Sequence, residues 1–271
     1  MSLILAKNKK PIIMGILNVT PDSFFDGGLY FKKSKAMKHI KKMISDGADI
    51  IDIGAESSRP GSRGISSDEE ISRLLPIIEE IRNYTDISLS IDTRKSEVVK
   101  ELIKYKIQLV NDISSLSDEK LIQLVKKHNL FICLMHMQGK PETMQKQPRY
   151  KNIISDISLF FKNKIDSCIK NKIKKNHIII DPGFGFGKTL NHNYLILKKL
   201  NHFKKIHDNL LIGISRKSMI GNLLNKPPED RLNGTLTATI LSVKNGASII
   251  RTHDVKETKL LLDMKPVYLK K

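Results

Sequence analysis

The 271-residue sequence lacks features on which several common protein classes depend. Its two cysteines, Cys133 and Cys168, have no metal-ligand spacing and are too few for a disulfide framework. No apolar run approaches the roughly 18–20 residues of a spanning helix. The start, MSLILAKNKK, has no apolar stretch of signal-peptide length. We therefore expect a soluble, cytoplasmic protein.

Acidic residues are also scarce: the sequence has 28 Asp and Glu and 47 Lys and Arg, which gives a net charge of +19. The lysines are spread over most of the predicted helices, which favours a solvated basic surface over a nucleic-acid-binding stripe. The charge does predict long-range attraction of anionic substrates. We expect small-molecule substrates and neither nucleic-acid nor membrane partners.

Eight short apolar runs alternate with segments long enough for a helix, and no Pro/Ser/Gly-rich linker divides the chain. The predicted strands are residues 12–17, 50–53, 88–91, 108–110, 130–134, 178–180, 211–214 and 247–252. This alternation predicts an α/β fold, a (β/α)8 TIM barrel of about 250 residues in which the strand ends build the active site. We expect a single domain over residues 1–271.

Polar residues end these strands. Asp92, Asn111 and Asp181 close the third, fourth and sixth strands. Two acceptor-only carboxylates beside an amide match the hydrogen-bonding edge of an aminopyrimidine. The alternative for Asp181 is that it caps the following helix.

Arg251 and His253 lie two residues apart on the eighth strand, so both side chains should face the mouth of the barrel. The loops after the last two strands are the usual phosphate site of such barrels. Asn18 ends the neighbouring first strand, and its amide oxygen is a candidate Mg²⁺ ligand. The alternative is a buried salt bridge from Arg251 to an acid such as Asp254.

Three loops carry further signals. GFGFGKT (183–189) misses the phosphate-loop pattern, because Pro182 stands where the first glycine is required. We interpret it as backbone that passes close to a flat ligand. SRKS (215–218) should begin a helix whose N-terminus, with Lys217 and Ser218, holds an anion. Ser67 and Glu70 predict a capping box for the second helix.

Seven motifs together resemble the dihydropteroate synthase family over nearly the whole chain: MGILNVTPDSFFDGG, DIIDIG, GAESSRPG, CLMHMQG, DPGFGFGK, GISRKSMIG and RTHDV. The resemblance implies a homodimeric, Mg²⁺-dependent TIM-barrel enzyme of folate synthesis. It would join 6-hydroxymethyl-7,8-dihydropterin diphosphate to 4-aminobenzoate. Departure of diphosphate would leave a pterin cation, which the amine then attacks.

The resemblance also assigns residues. The pterin would be held by Asp92, Asn111, Asp181, Lys217, Met135 and Gly213. The diphosphate would be held by Asn18, Ser58, Arg251 and His253, with Mg²⁺ on Asn18. The aminobenzoate pocket and its loops would use Phe24, Asp26, Ser58, Arg59, Pro60, Phe186 and Ser218. The catalytic residues would be Asp92, Lys217, Arg251 and His253.

Two positions depart from the family pattern. Ser58 stands where a threonine is usual, and Arg94 stands where a small polar residue is common. A pterin-binding methyltransferase of the methyltetrahydrofolate type is the main alternative function. The anion-binding SRKS and RTH motifs and the SSRPG loop favour the synthase. A basic nucleic-acid-binding barrel and an inactive relative are more remote alternatives.

Overall fold

A computed structural model describes residues 10–20, 29–58 and 61–264, with side chains in the first helix from residue 33 onward. Eight parallel strands occupy the centre of these parts of the chain. The strands are β1 (Ile12–Asn18), β2 (Ile50–Gly54), β3 (Ser88–Asp92), β4 (Leu109–Asp112), β5 (Phe131–Met135), β6 (Ile178–Asp181), β7 (Leu211–Ile212) and β8 (Ile249–Thr252).

Helices connect successive strands and lie outside them. They are α1 (Leu29–Ser45), α2 (Ser67–Tyr84), α3 (Ser96–Leu102), α4 (Glu119–Lys127), α5 (Ile153–Lys170), α6 (Leu190–Lys198), α7 (Leu200–Lys204), α8 (Ser218–Leu224), α9 (Leu232–Lys244) and α10 (Val255–Asp263). Within the described residues, no helix is both long enough and apolar enough to cross a bilayer.

The strands form one sheet in the order β6-β5-β4-β3-β2-β1-β8-β7. A parallel bridge between Ile180 and Leu210 joins the two edges, and Ile180 N donates to Asn209 O at 3.0 Å. The sheet is thereby closed, which confirms the predicted (β/α)8 barrel. Burial of the strands on both faces explains why they are nearly continuous apolar runs.

The inside of the barrel is filled by a buried cluster that is separate from the main core. Its members are Ile12, Met14, Ile50, Leu109, Phe131, Cys133, Ile179, Leu211 and Ile249. Alternate strand residues point to opposite faces, so the residues between these pack outward against the helices. The outward set belongs to the larger core, for example Ile51, Ile132 and Ile180.

Two predicted strands are longer than the observed ones. β7 ends at Ile212 because Ile214 O accepts a hydrogen bond from Lys217 N at 3.1 Å, which begins the turn into α8. β8 starts at Ile249 because Ala247 N donates to Ser242 O at 3.0 Å, at the end of α9. The shorter β7 places the SRKS segment directly at the mouth of the barrel.

The predicted capping box is wrong by one residue. The N-cap of α2 is Ser66, whose hydroxyl accepts a hydrogen bond from Glu69 N at 3.1 Å. Glu70 is fully buried and pairs with Lys95 Nζ at 2.6 Å. Glu70 is therefore an interior partner for a lysine.

Candidate active site

The barrel mouth is built from inward-facing residues at the carboxyl ends of the strands. In the sheet register Asp92 of β3 lies beside Gly54 of β2 and Asn111 of β4. Met135 of β5 lies beside Asp181 of β6. The structure thus brings the predicted pterin residues of β3, β4, β5 and β6 to one end of the barrel.

Arg251 joins this group from β8. Its Nε donates to Asp52 Oδ2 at 2.6 Å and its Nη2 to Asp92 Oδ2 at 2.8 Å. Asn111 Nδ2 donates to the same Asp52 oxygen at 3.1 Å. The salt bridge that the sequence analysis gave as an alternative for Arg251 is present, but its partners are Asp52 and Asp92, and the named partner Asp254 is wrong. Asp254 instead pairs with Arg216, whose Nε lies 3.0 Å from its Oδ2.

Asp52 is a site residue that the sequence reasoning missed. It is 0% exposed and lies in the middle of the apolar IIDIG strand. The available signal was its position two residues after Ile50, on the face that points into the barrel. A charged residue there needs a partner of opposite charge, and Arg251 provides it.

Burial and neighbouring charges shift the pKa values of the ionisable residues at the mouth. It raises the pKa of Asp92 to about 7, an effect that Arg251 opposes and Asp52 reinforces. It raises the pKa of Asp181 against the opposing effect of Lys217, and it lowers the pKa of Lys217 to about 8. Burial disfavours the charge on Arg251, but Asp52 and Asp92 raise its pKa, so Arg251 stays cationic.

Asp181 supports the turn that follows β6. Its Oδ1 accepts a hydrogen bond from Gly183 N at 2.8 Å. The alternative role as a helix cap is wrong, because Thr189 caps α6. Lys217 Nζ donates to Phe184 O in the same turn and lies 4.5 Å from the centroid of the Phe186 ring.

The glycine-rich turn passes close to the backbone of the loop after β5. Its predicted approach to a flat ligand stays a prediction. Gly183 has φ +68°, and a Cβ there would lie 2.1 Å from His136 O. Gly187 has φ +62°, and a Cβ there would lie 2.5 Å from Gln138 O. These two positions therefore require glycine, and the turn is packed tightly against the loop after β5.

Lys188, the lysine of the phosphate-loop near-match, faces the protein interior. It is 3% exposed, and its Nζ donates to Phe186 O at 2.8 Å and to His136 O at 3.1 Å. Burial lowers its pKa to about 7. The lysine joins the loops after β5 and β6, which supports the rejection of a nucleotide phosphate site. Nothing in the sequence alone indicated this structural role.

The second group of residues predicted to bind an anion lies at the end of β8 and the start of α8. His253 follows the last residue of β8 and is exposed, and its Nδ1 lies 3.0 Å from Ser215 Oγ. Ser215 Oγ also accepts a hydrogen bond from His253 N at 3.2 Å. Ser218 is exposed as the first residue of α8, while Gly213 is buried beside Arg251.

The base of the loop after β2 is fixed by ion pairs. Arg94 Nη2 lies 2.8 Å from Glu56 Oε1, and Lys95 Nζ pairs with both Glu56 and Glu70. These ion pairs supply a structural role for Arg94, for which the sequence analysis had none. Ser58 is half-buried in this loop. Phe24, Asp26, Arg59 and Pro60, assigned to the aminobenzoate loops, lie outside the described residues.

Comparison with known proteins identifies the class of protein to which this barrel and its polar mouth belong. Residues 14–253 match the family of pterin binding enzymes. Dihydropteroate synthase of Escherichia coli K12 is 46% identical over 248 residues, covering 92% of this chain and 88% of that protein. The Haemophilus influenzae enzyme of the same name is 44% identical, covering 93% and 92%.

Solved structures agree with the sequence relatives. Yersinia pestis dihydropteroate synthase in complex with a sulfonamide drug has a TM-score of 0.88 at 44% identity, covering 95% of this chain and 93% of that one. The Xanthomonas albilineans enzyme in complex with 7,8-dihydropteroate has a TM-score of 0.86 at 32% identity, covering 98% and 95%. This chain belongs to the dihydropteroate synthase family.

Proposed function

We propose that this protein condenses 6-hydroxymethyl-7,8-dihydropterin diphosphate with 4-aminobenzoate, giving 7,8-dihydropteroate and diphosphate. The observation that carries the proposal for this chain is the meeting of Arg251 with Asp92, Asn111 and Asp52 at one mouth. A guanidinium suits a diphosphate, and the adjacent carboxylate and amide suit a pterin edge. Groups suited to the diphosphate half and to the pterin half of one substrate therefore lie next to each other.

The pterin half binds to Asp92, Asn111 and Asp181, with Lys217 donating to the ring and Met135 and Gly213 lining its slot. Ionised Asp92 and Asp181 accept hydrogen bonds from the amino and ring N–H groups of the pterin. The amide of Asn111 supplies both an acceptor and donors. Because these groups are buried, their hydrogen bonds to the pterin meet little competition from water.

The diphosphate half binds to Arg251, His253 and Asn18, with Ser58 at the edge of the site. Arg251 stays cationic, so it offsets the negative charge that grows on the leaving oxygen. In the transition state this charge is larger than in the bound substrate, and the contact accelerates the reaction for that reason.

Asn18 is suited to hold Mg²⁺. It lies at the carboxyl end of β1, half-buried, in register with Gly54 of β2. Within the described ranges no group of three or more His, Cys, Asp or Glu side chains could hold a metal ion. A single amide oxygen therefore fits an ion that keeps waters and phosphate oxygens as its other ligands. When bound, Mg²⁺ would supply further neutralisation of diphosphate charge.

The 4-aminobenzoate binds on the other side of the pterin slot. Its carboxylate lies at Ser218 and the backbone N–H groups that begin α8, and its ring lies against Phe186. The family resemblance implies that Phe24, Asp26, Ser58, Arg59 and Pro60 would complete this pocket, and that Asp26 would pair with Arg59 when the loops close. Closure excludes water, which would otherwise trap the pterin cation.

The reaction proceeds by substitution at the exocyclic methylene. The C–O bond breaks, the bonding electrons leave with diphosphate, and the pterin ring stabilises the cation. The nitrogen lone pair of 4-aminobenzoate then forms the C–N bond, and the resulting ammonium loses a proton. No protein nucleophile takes part. We further propose that the protein acts as a cytoplasmic homodimer without nucleic-acid or membrane partners.

The experiment is a direct assay of the purified protein with both substrates and Mg²⁺, following dihydropteroate and diphosphate. Equal amounts of the two products are expected, and sulfonamides should compete with 4-aminobenzoate because they share its shape. Formation of methylated product from a methyl-pterin donor instead would favour the methyltransferase alternative. Absence of dihydropteroate with folded protein would contradict the proposal.

A further inference from the structure

We propose that Asp52 is a positioning residue for the reaction, because it holds Arg251 and Asn111 through one oxygen and so fixes the diphosphate site relative to the pterin site. This inference rests on the proposed function. It concerns a residue that would not touch the substrate.

The contacts of Asp52 link three strands. Its Oδ2 accepts hydrogen bonds from Arg251 Nε at 2.6 Å and from Asn111 Nδ2 at 3.1 Å. Asp52 lies on β2, Asn111 on β4 and Arg251 on β8. A shift of this one carboxylate therefore displaces the groups assigned to both halves of the pterin diphosphate.

Burial separates the role of Asp52 from that of Asp92. The Asp52 side chain is 0% exposed, whereas those of Asp92 and Arg251 are 18% and 19% exposed. A ligand in the mouth can reach Asp92 and the outer guanidinium nitrogens. Arg251 can therefore donate hydrogen bonds from its Nη groups to a diphosphate while its Nε keeps its hydrogen bond to Asp52, since a guanidinium has five N–H donors.

The carboxylate of Asp52 is only partly satisfied at this position. Among the described residues Asp52 Oδ1 and the neighbouring Ser90 Oγ are both buried without a hydrogen-bond partner. A buried polar atom without a partner costs stability. Ile50, two residues earlier on the same face, is an ordinary apolar core residue. The carboxylate at residue 52 is explained by its hydrogen bonds with Arg251 and Asn111.

Asp52 also acts on the charge of Asp92. The groups that act on the Asp92 carboxyl are Arg251 from β8, Asp52 from β2, Glu70 from α2 and Asp112 from β4, and Lys217 from the start of α8 is also coupled to it. Of these, Arg251 lowers the pKa of Asp92, whereas Asp52, Glu70 and Asp112 raise it. Removing the charge of Asp52 should therefore lower the pKa of Asp92.

The test compares Asp52→Asn with Ser90→Ala, a neighbouring buried change that removes no contact of Arg251 or Asn111. For Asp52→Asn the KM for pterin diphosphate should rise about tenfold to a hundredfold, as for loss of a hydrogen bond to a charged group. The KM for 4-aminobenzoate should change less than about twofold, because that site lies elsewhere. The acid limb of kcat/KM should move to lower pH by about half a unit to one unit.

The control variant should match the unaltered protein in all of these quantities. A lower kcat for Asp52→Asn at unchanged KM and unchanged pH profile would indicate only a smaller folded fraction and would overturn the proposal. So would kinetics equal to those of Ser90→Ala. If the unaltered protein makes no dihydropteroate, the proposed function fails, which is a separate result.

A second measurement keeps the proposal testable if Asp52→Asn does not fold. In a crystal structure of the unaltered protein with pterin diphosphate, Arg251 Nε and Asn111 Nδ2 should both remain on Asp52 Oδ2. Departure of either group from Asp52 in that complex would overturn the proposal.

Discussion

The floor and the mouth of the barrel interior are built from the same strands but have opposite chemistry. Four residues of the apolar cluster inside the barrel, which form its floor, are each followed two positions later by a polar mouth residue, a rise of roughly 6–7 Å along the strand. The pairs are Ile50 and Asp52, Leu109 and Asn111, Ile179 and Asp181, and Ile249 and Arg251. The change from a dry core to a polar site is therefore complete within one repeat of the strand.

The contrast between floor and mouth shows how a buried site keeps its charges. Floor residues need only fill space, and any apolar side chain of similar volume serves. Mouth residues must find partners of opposite charge, since little water reaches them. Arg251 meets this requirement for both Asp52 and Asp92. Changes in the floor should therefore affect stability, and changes in the mouth should affect binding and rate.

The largest effect is expected for Arg251→Ala. Losing the cation that offsets diphosphate charge should lower kcat/KM by about a hundredfold to a thousandfold. Arg82 on the outside of the barrel gives a matched control, because it donates to Tyr105 O and Ile87 O and contacts no mouth residue. Arg82→Ala should lower the free energy of unfolding and leave kcat/KM per folded molecule unchanged. Equal kinetic losses in both variants would contradict a specific role of Arg251 in the reaction.

A floor substitution should give the opposite pattern. Ile179→Ala deletes a fully buried side chain two residues before Asp181 and should lower the free energy of unfolding by about 2–5 kcal/mol. Denaturant titration measures this loss. The KM values should stay within about twofold, because sites without shared partners behave independently. A large rise in the KM for pterin diphosphate would mean that floor and mouth are coupled.

The pH dependence should distinguish the mouth from the rest of the molecule. Asp92, with a pKa of about 7, must lose its proton to accept the pterin N–H groups, so kcat/KM falls below that pH. Lys217, with a pKa of about 8, loses its charge above that pH. A bell-shaped profile with its maximum between these values is expected, falling about tenfold per unit beyond each limb. Lys217→Gln should remove the alkaline limb and move the acid limb to higher pH, because the charge of Lys217 is coupled to that of Asp92. An unaltered alkaline limb would contradict the assignment.

The smallest effect is expected in the loops around the mouth, where charged side chains are partly exposed to water. Arg94→Ser removes a partly exposed pair with Glu56, but Lys95 still holds that carboxylate. The free energy of unfolding should change by less than about 1 kcal/mol. The KM for 4-aminobenzoate should stay within about twofold in a steady-state assay. A much larger rise would mean that Arg94 positions the loop after β2.

Local patterns in the sequence were sufficient to predict the residues at strand ends. Asp92, Asn111, Asp181 and Arg251 each follow an apolar run, and parallel strands bring their carboxyl ends together. Asp52 was not predicted because it lies inside an apolar run. Only the inward direction of its side chain distinguishes it as a site residue. A salt bridge of Arg251 was considered as an alternative, but the acid named for it, Asp254, is near in sequence and is not its partner. The true partners are 199 and 159 residues away, and only closure of the barrel brings them within reach.

Calorimetric titration with two ligands can show whether one mouth binds both halves of the pterin diphosphate. The ligands are 6-hydroxymethyl-7,8-dihydropterin and its diphosphate. In Arg251→Ala the diphosphate should lose its affinity advantage over the alcohol, whereas Asp181→Asn should weaken both ligands by a similar factor. The account would be contradicted if Arg251→Ala preserved the full advantage of the diphosphate or if Asp181→Asn left the affinity for the alcohol unchanged.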